Sequence, residues 1–169
     1  MTAPYPVAPQ NASVADEIAW RHATYEYLTG TYEPGMIPKK ELRELGAYGS
    51  AAGFWGDKKR TSSKDLPNGL CVGILHTDKS YADIIVGDYM FYHYPGTKRI
   101  GSTDANQVAA ARSALTHRVP IFVILPVKGA STREVRLGWF IADAPDESVF
   151  VVQFAANDPG RLSSRKAEK

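Results

Sequence analysis

The feature that most constrains the fold is the tyrosine-rich stretch from Leu75 to Gly96, which has strand propensity at both ends. Val86-Gly87-Asp88 supplies a turn between a weak strand near 82–86 and a stronger one at 89–94. The stretch therefore predicts two strands joined by a turn. It also gathers polar and aromatic groups that bear on function: Tyr81, Asp83, Tyr89, Tyr92, His93 and Tyr94.

Two interpretations fit these tyrosines. Flat aromatic faces beside a carboxylate can hold a planar polar ligand such as a nucleobase, by stacking on its faces and accepting hydrogen bonds from its edge. Alternatively, the stretch is a half-buried sheet whose tyrosines belong to the core. Periodicity alone favours the second interpretation.

The rest of the chain supplies helices and further strands. Ser13 is placed as the N-cap of a first helix that ends near Gly30, and a short second helix is predicted over 38–45, followed by Gly46. The clearest helix signal covers 103–115, where alanines are dense. Further strands are predicted at 69–75, 119–125, 133–141 and 148–154. The sum is an α+β fold: a strongly curved, mainly antiparallel β-sheet or barrel with a few flanking helices.

The chain of 169 residues fits one domain. Residues 1–12 carry three prolines and predict an irregular N-terminal arm. The apolar pattern continues from 69 to 154 without a break, so we expect a single domain over 13–156. Residues 157–169 are polar and charged, which predicts a disordered tail or a linker.

Charge is informative only locally. A net charge of +2 does not by itself indicate nucleic-acid binding. Gly49–Gly69 is rich in glycine, serine and lysine and predicts a mobile basic loop that is entered through Phe54 and Trp55. Basic residues bracket the tyrosine-rich stretch and predict a positive face: Lys58, Lys59, Arg60, Lys64, Lys79, Lys98 and Arg99.

The single cysteine, Cys71, lies in an apolar run and predicts a buried, inert thiol. With one cysteine there is no disulfide framework, so we expect a cytoplasmic protein. No signal-peptide profile and no apolar run of membrane-spanning length is present in the sequence, so no membrane partner is expected.

Recognisable catalytic signatures are missing from the sequence. The four histidines are scattered, and neither a zinc-binding spacing nor a P-loop nor a dinucleotide fingerprint occurs, so we expect no metal and no cofactor. Asp83 and Asp88 flank a turn that would aim them in different directions. With no catalytic residue identified, the sequence favours a binding module over an enzyme.

The order of these features resembles the SRA (SET and RING associated, also called YDG) domain, a reader of modified cytosine. Over residues 30–155 the matching pieces follow the family's order: Tyr32-Glu-Pro-Gly-Met36, Gly53-Phe-Trp-Gly56, Tyr81-Ala-Asp83, Gly87 and Tyr94-Pro-Gly96. The loops are short and the Asn-Lys-Arg element of the chromatin members is not recognisable. The resemblance is therefore to the bacterial members that are fused to HNH-type nucleases in modification-dependent restriction enzymes.

The resemblance implies a site as well as a fold. In the family, a modified cytosine is flipped out of the duplex and sandwiched between two tyrosines. Here Tyr81 and Tyr94 would be the stacking pair, with Tyr92 as the alternative second stacker, and Asp83 would accept a hydrogen bond from the exocyclic amine. The remaining pocket residues would be Ser80, Pro95 and Gly96. Contacts to the DNA backbone or groove would come from Trp55, Lys58, Lys59, Arg60, Lys64, Lys98 and Arg99.

The expected partner is double-stranded DNA carrying 5-methylcytosine or a related base. An HNH-type nuclease domain would lie on a part of the protein outside this chain, and the oligomeric state, including a homodimer, stays open. Two alternatives also stay open. One is a PUA-like module that reads RNA or another DNA modification, and the other is a glycosylase or hydrolase that uses Asp83 as a general base.

Overall fold

The structure is a computed structural model that describes residues 5–10, 13–49, 53–76, 84–94 and 103–160. The helices are α1 (Val14–Thr31), α2 (Lys39–Leu45), α3 (Lys58–Thr61) and α4 (Thr103–His117). The strands are β1 (Ile37–Pro38), β2 (Phe54–Trp55), β3 (Gly73–Leu75), β4 (Ile84–Val86), β5 (Tyr89–His93), β6 (Ile121–Pro126), β7 (Thr132–Ala144) and β8 (Val149–Phe154).

The eight strands form one mixed sheet in the order β2-β3-β6-β7-β8-β5-β4, and β1 pairs with the start of β7. Among the described strands all pairs are antiparallel except β3 with β6, which run parallel; β4, β5 and α4 lie between them in the chain and supply the long crossover connection that a parallel pair needs. The α+β class and the mainly antiparallel sheet predicted from the sequence are confirmed. Among the described residues the two end strands of this path, β2 and β4, do not pair with each other, so the sheet is not closed into a barrel.

The sheet is buried on both faces, as β6 shows most clearly. Ile121 and Val123 face one core together with the alanines of α4, whereas Phe122 and Ile124 face a second core with α1 and α2. Consecutive residues of a strand point to opposite faces, so a strand covered on both sides is apolar throughout. This is why Val119–Leu125 is continuously apolar in the sequence.

Local signals explain where several elements begin and end. The hydroxyl oxygen of Ser13 accepts a hydrogen bond from the backbone N–H of Asp16 at 3.1 Å, which confirms the predicted N-cap of α1. Gly46 ends α2 in the left-handed region, with φ of 85°. Helix α1 runs past the predicted end at Gly30 and is capped by Tyr32, whose N–H bonds to the Leu28 carbonyl oxygen.

The segment predicted as one long basic loop is more ordered than expected. It contains β2, which pairs with β3, and the single helical turn α3. Residues 5–10 of the predicted arm are irregular and lie against the domain, since the Pro9 carbonyl oxygen accepts a hydrogen bond from Arg60. At the other end, Asp158 forms a 2.7 Å ion pair with Arg118.

Candidate nucleic-acid interface

The hairpin β4–β5 is the part of the predicted pocket that the structure describes. Ile84 pairs with Phe91 and Val86 with Tyr89 on either side of Gly87, whose φ of 59° makes the turn. Of the predicted pocket residues, only Tyr94 lies in the described chain, directly after β5. The others, together with two predicted backbone contacts, lie outside the described residues: Ser80, Tyr81, Asp83, Pro95, Gly96, Lys98 and Arg99.

Tyr94 is held from three directions. Its backbone N–H donates to the Ser148 carbonyl oxygen at 2.9 Å, and its ring packs against Phe150, with ring centroids 4.9 Å apart. Its hydroxyl donates a hydrogen bond to Oδ1 of Asp143. Arg112, on α4, donates from Nε to Oδ2 of the same carboxylate at 2.7 Å and from a terminal nitrogen to the phenol oxygen at 3.2 Å. The ring is therefore fixed in orientation while still half-buried.

The electrostatics of this triad keep the phenol neutral. Burial and the hydrogen bond to Asp143 raise the pKa of Tyr94, and Arg112 opposes them. The pKa of Arg112 is also raised, chiefly by its hydrogen bonds to Asp143 and Tyr94. A neutral tyrosine with a locked hydroxyl can offer its ring surface to a planar ligand but does not act as an acid or a base.

The other tyrosines of the hairpin differ in exposure. Tyr92 is 6% exposed and belongs to the hydrophobic core, so we do not retain it as the alternative second stacker. Tyr89 is 40% exposed and lies on the opposite face of the strand. Tyr94 follows Met90 and Tyr92 on the core-facing side, at the end where the strand leaves the sheet. The alternation of side chains along the strand therefore directs Tyr94 towards Asp143 and Arg112.

The predicted basic contacts divide into two groups. Lys58, Lys59 and Lys64 are exposed, as a contact to phosphate requires. Arg60 is 6% exposed, and its guanidinium bonds to both carboxylate oxygens of Glu17 and, at 2.9 Å, to Asp57. Because its donors are used inside the protein, we remove Arg60 from the predicted set of DNA contacts.

Arg60 instead belongs to a buried ionic cluster that fixes α3 to α1. Glu17 accepts hydrogen bonds from Arg60 at 2.5 and 3.0 Å and from Arg21 at 2.9 Å. Arg21 is fully buried and also donates to the carbonyl oxygens of Cys71 and Pro120, which tie the cluster to the sheet. The cluster holds α3, and with it Lys58 and Lys59, in a defined place on the surface.

The aromatic pair of β2 points in two directions. Phe54 is 5% exposed and lies in the core, whereas Trp55 is half-buried. The Trp55 indole N–H donates to the Gly46 carbonyl oxygen at 3.2 Å, and a Cβ at Gly49 would come within 3.0 Å of the ring. Trp55 is therefore fixed at the surface close to Lys58.

The described part of the chain contains neither an activated cysteine nor a cluster of metal-binding side chains. Cys71 is buried, and burial raises the pKa of its thiol, so it is not a ready nucleophile. No group of three or more His, Cys, Asp or Glu side chains in the described residues is arranged to hold a metal ion. None of the helices described combines the length and apolar character needed to cross a membrane.

Sequence reasoning missed Asp143 and Arg112. Asp143 lies between the strands predicted at 133–141 and 148–154, and Arg112 lies in the alanine-rich helix predicted over 103–115. Their contact with Tyr94 depends on the pairing of β7, β8 and β5, which brings Asp143 opposite Phe150 and Phe150 opposite Tyr92. No local sequence pattern indicates that Asp143 and Arg112 lie close to Tyr94.

The fold is similar to that of solved SRA domains. The SRA domain of SUVH5 in complex with methylated CHH DNA aligns with a TM-score of 0.52 at 16% identity, over 79% of this chain and 95% of that one. The same domain with fully methylated CG DNA gives a TM-score of 0.50 at 15% identity, over 79% and 95%. These similarities confirm the predicted SRA-like fold.

The modification-dependent restriction endonuclease TagI is also similar, with a TM-score of 0.48 and 18% identity over 76% of this chain. The aligned part makes up 50% of the TagI chain, so the similarity covers half of that enzyme. The sequence matches no protein-family model and no curated protein.

Proposed function

We propose that this chain binds double-stranded DNA at a modified cytosine, 5-methylcytosine or a related base, by flipping that base out of the duplex. The observation that carries the proposal is Tyr94, a half-buried ring at the end of the β4–β5 hairpin with its hydroxyl locked by Asp143 and Arg112. The SRA-like fold supports it, since the SUVH5 domains of that fold were solved with methylated DNA.

In this proposal the pocket lies where the chain enters β4 and leaves β5. Tyr81 precedes Ile84 by three residues, and Tyr94 follows Phe91, the pairing partner of Ile84, by three residues. Tyr81 and Tyr94 stack on the two faces of the base, and Asp83 accepts a hydrogen bond from the exocyclic amine. Ser80 borders the 5-substituent, and Pro95 and Gly96 contact the base or its sugar.

The energies are consistent with base flipping. Extruding a base costs a few kcal/mol, and stacking on an aromatic face contributes about 1–3 kcal/mol per base. Two rings and a hydrogen bond to a carboxylate can offset that cost. Burying one methyl group adds roughly 0.8 kcal/mol, so strong discrimination requires a pocket that also excludes other groups by shape.

We further propose that the domain is a reader without catalytic activity of its own, acting as the recognition module of a modification-dependent restriction endonuclease. The short loops and the missing Asn-Lys-Arg element, which resemble the nuclease-associated SRA domains, support this assignment. Exposed Lys58, Lys59 and Lys64, together with Trp55, Lys98 and Arg99, supply contacts to the DNA backbone or groove.

The test is binding to two duplexes that are identical except for one 5-methylcytosine. We expect tighter binding of the modified duplex and loss of that difference in the double variant Tyr81→Ala/Tyr94→Ala. Tyr89→Ala is the matched control, because Tyr89 is exposed on the other face of the hairpin. Equal affinity of the wild-type domain for the two duplexes, tested also with 5-hydroxymethylcytosine, would reject the proposal, as would a double variant that still discriminates.

A further inference from the structure

A second pocket lies beside α4. It has a volume of about 360 Å³, and the wall from β2 and α3 includes Trp55, Gly56 and Lys58. The facing wall includes Asn106 and Gln107 in the first half of α4, and Asn68 in the turn before β3 closes one side. A volume of this size is within the usual range for small-ligand sites and accommodates a nucleobase.

Four polar side chains that line this pocket have no partner among the residues that the structure describes, whereas Trp55 and Asp57 bond to Gly46 and Arg60. Within the residues that the structure describes, the side-chain amides of Asn68, Asn106 and Gln107 make no hydrogen bond, and Lys58 makes no ion pair. An amide offers both a donor and an acceptor, and Asn and Gln use that pair to bind the edges of bases. Three such amides around one cavity, beside an indole ring and a lysine, match the base and the phosphate of a nucleotide.

Contacts within the protein hold the backbone of the pocket wall in place. The Thr61 hydroxyl contacts the carbonyl oxygens of Gly56 and Asp57 at 2.9 and 3.0 Å and accepts a hydrogen bond from the Leu70 N–H at 3.0 Å. Asp57 has a φ of 40°, an uncommon conformation for a residue other than glycine. Strained backbone held in place by neighbouring contacts is frequent at binding sites.

The position of the pocket connects it to Tyr94. Arg112, which bonds to Tyr94 and Asp143, lies six residues beyond Asn106 on the same helix, about 9 Å along the helix axis. The two residues point about 120° apart around the helix, and 9 Å along its axis corresponds to roughly two to three base-pair steps of duplex DNA at about 3.4 Å each. We infer that this pocket is a second nucleotide subsite, in which Asn68, Asn106 and Gln107 bind a base within about three positions of the modified cytosine and so set the flanking-sequence preference. The inference rests on the proposed function.

The experiment uses a panel of duplexes that each carry one 5-methylcytosine and differ only in the flanking sequence, about three base pairs on either side. We expect the wild-type domain to prefer some flanking sequences. In the double variant Asn106→Ala/Gln107→Ala, binding of the preferred duplexes falls by about 5-fold or more, and the differences within the panel shrink. The ratio of affinities for modified and unmodified duplex stays as in the wild type. Asn157→Ala, an exposed amide that does not line the pocket, leaves the whole profile unchanged.

Fluorescence gives a second readout, because Trp20 and Trp139 are 5% and 3% exposed whereas Trp55 is half-buried. DNA that fills the pocket should quench Trp55, and Trp55→Phe should remove the change. A wild-type domain without flanking preference, an unchanged profile in the double variant, or a uniform loss across the panel would each overturn the inference. If the wild type instead binds modified and unmodified duplexes alike, the proposed function fails, and the panel still reports separately on this pocket.

Discussion

Tyr94 and Asp143 are joined by a hydrogen bond from the phenol to the carboxylate, although they stand 49 positions apart in the sequence. Arg112 completes the contact from α4, so a strand end, a second strand and a helix meet at one side chain. A tyrosine held in this way loses little rotamer freedom when a base stacks on it, because its orientation is already set. Asp143 and Arg112 are in this sense positioning residues for Tyr94.

The first prediction concerns this positioning. Tyr94→Ala should weaken binding of a modified duplex by about 1–3 kcal/mol, the usual contribution of one stacking ring. Asp143→Ala and Tyr94→Phe should each cause a smaller loss, and the two together should be less than additive because both remove the same hydrogen bond. Affinities of the single and double variants for the modified duplex measure this coupling. Glu134→Ala, which removes a half-exposed carboxylate paired with Arg136 on the same strand, should have no effect on binding.

The second prediction concerns the buried ionic cluster. Glu17 is 3% exposed and lies between Arg21 and Arg60, both of which are buried. Glu17→Ala leaves two buried guanidinium groups without their carboxylate and should lower the free energy of unfolding by about 3–5 kcal/mol. Glu44→Ala, which breaks an exposed pair with Lys40, should change it by less than about 1 kcal/mol. Urea unfolding of the two variants measures the difference, and equal effects would contradict the structural role assigned to the cluster.

The third prediction follows from the pKa of the same carboxyl group. Burial alone would raise the pKa of Glu17, but hydrogen bonds and charge from Arg60 and Arg21 outweigh it, so the pKa is lowered. A lowered pKa in the folded state means that this contribution to stability is complete above the pKa of the unfolded chain. It is lost as the pH falls towards the folded value. Stability should therefore decline on acidification, and Glu17→Gln should decline less steeply over the same pH range. Unfolding midpoints measured between neutral and acidic pH test the slopes.

How much of this could be predicted from the sequence depends on the range of each interaction. The Ser13 cap, the turn at Gly87 and the alanine-rich helix α4 rest on neighbouring residues, and all three were predicted. Arg60 was assigned to DNA because its neighbours are lysines. Its partner Glu17 is 43 positions away, and no local signal marks that pair. The parallel pairing of β3 with β6 was missed for the same reason, since each strand alone looks the same in either direction.

The fourth prediction concerns the turn that carries Asn68. Gly69 has a φ of 74°, and a Cβ there would lie 2.4 Å from the Thr61 hydroxyl oxygen. Gly69→Ala should therefore destabilise the protein by at least about 1–2 kcal/mol, the cost of the left-handed conformation, with the clash in addition. Gly30→Ala is the control, because Gly30 lies near the end of α1 with open space around it. That change should stabilise the protein by about 0.5–1 kcal/mol. Thermal unfolding of the two variants should show shifts of opposite sign.

The fifth prediction separates the exposed lysines from Arg60. A phosphate contact releases a counterion, so the slope of log affinity against log salt concentration becomes shallower by about 0.9 for each contact removed. Lys58→Gln and Lys59→Gln should each show this change while stability stays the same, because both side chains are exposed. Lys40→Gln, on α2 with a side chain that is 87% exposed, should leave the slope unchanged.

Arg60→Gln should show the opposite pattern to Lys58→Gln and Lys59→Gln: the stability of the protein should change while the salt slope stays the same. Its donors are used by Glu17 and Asp57, so it should lower the unfolding free energy, and any loss of DNA binding should disappear under conditions where the variant is fully folded. A salt slope that changes for Arg60→Gln but not for the two lysines would mean that the basic face has been assigned to the wrong side chains.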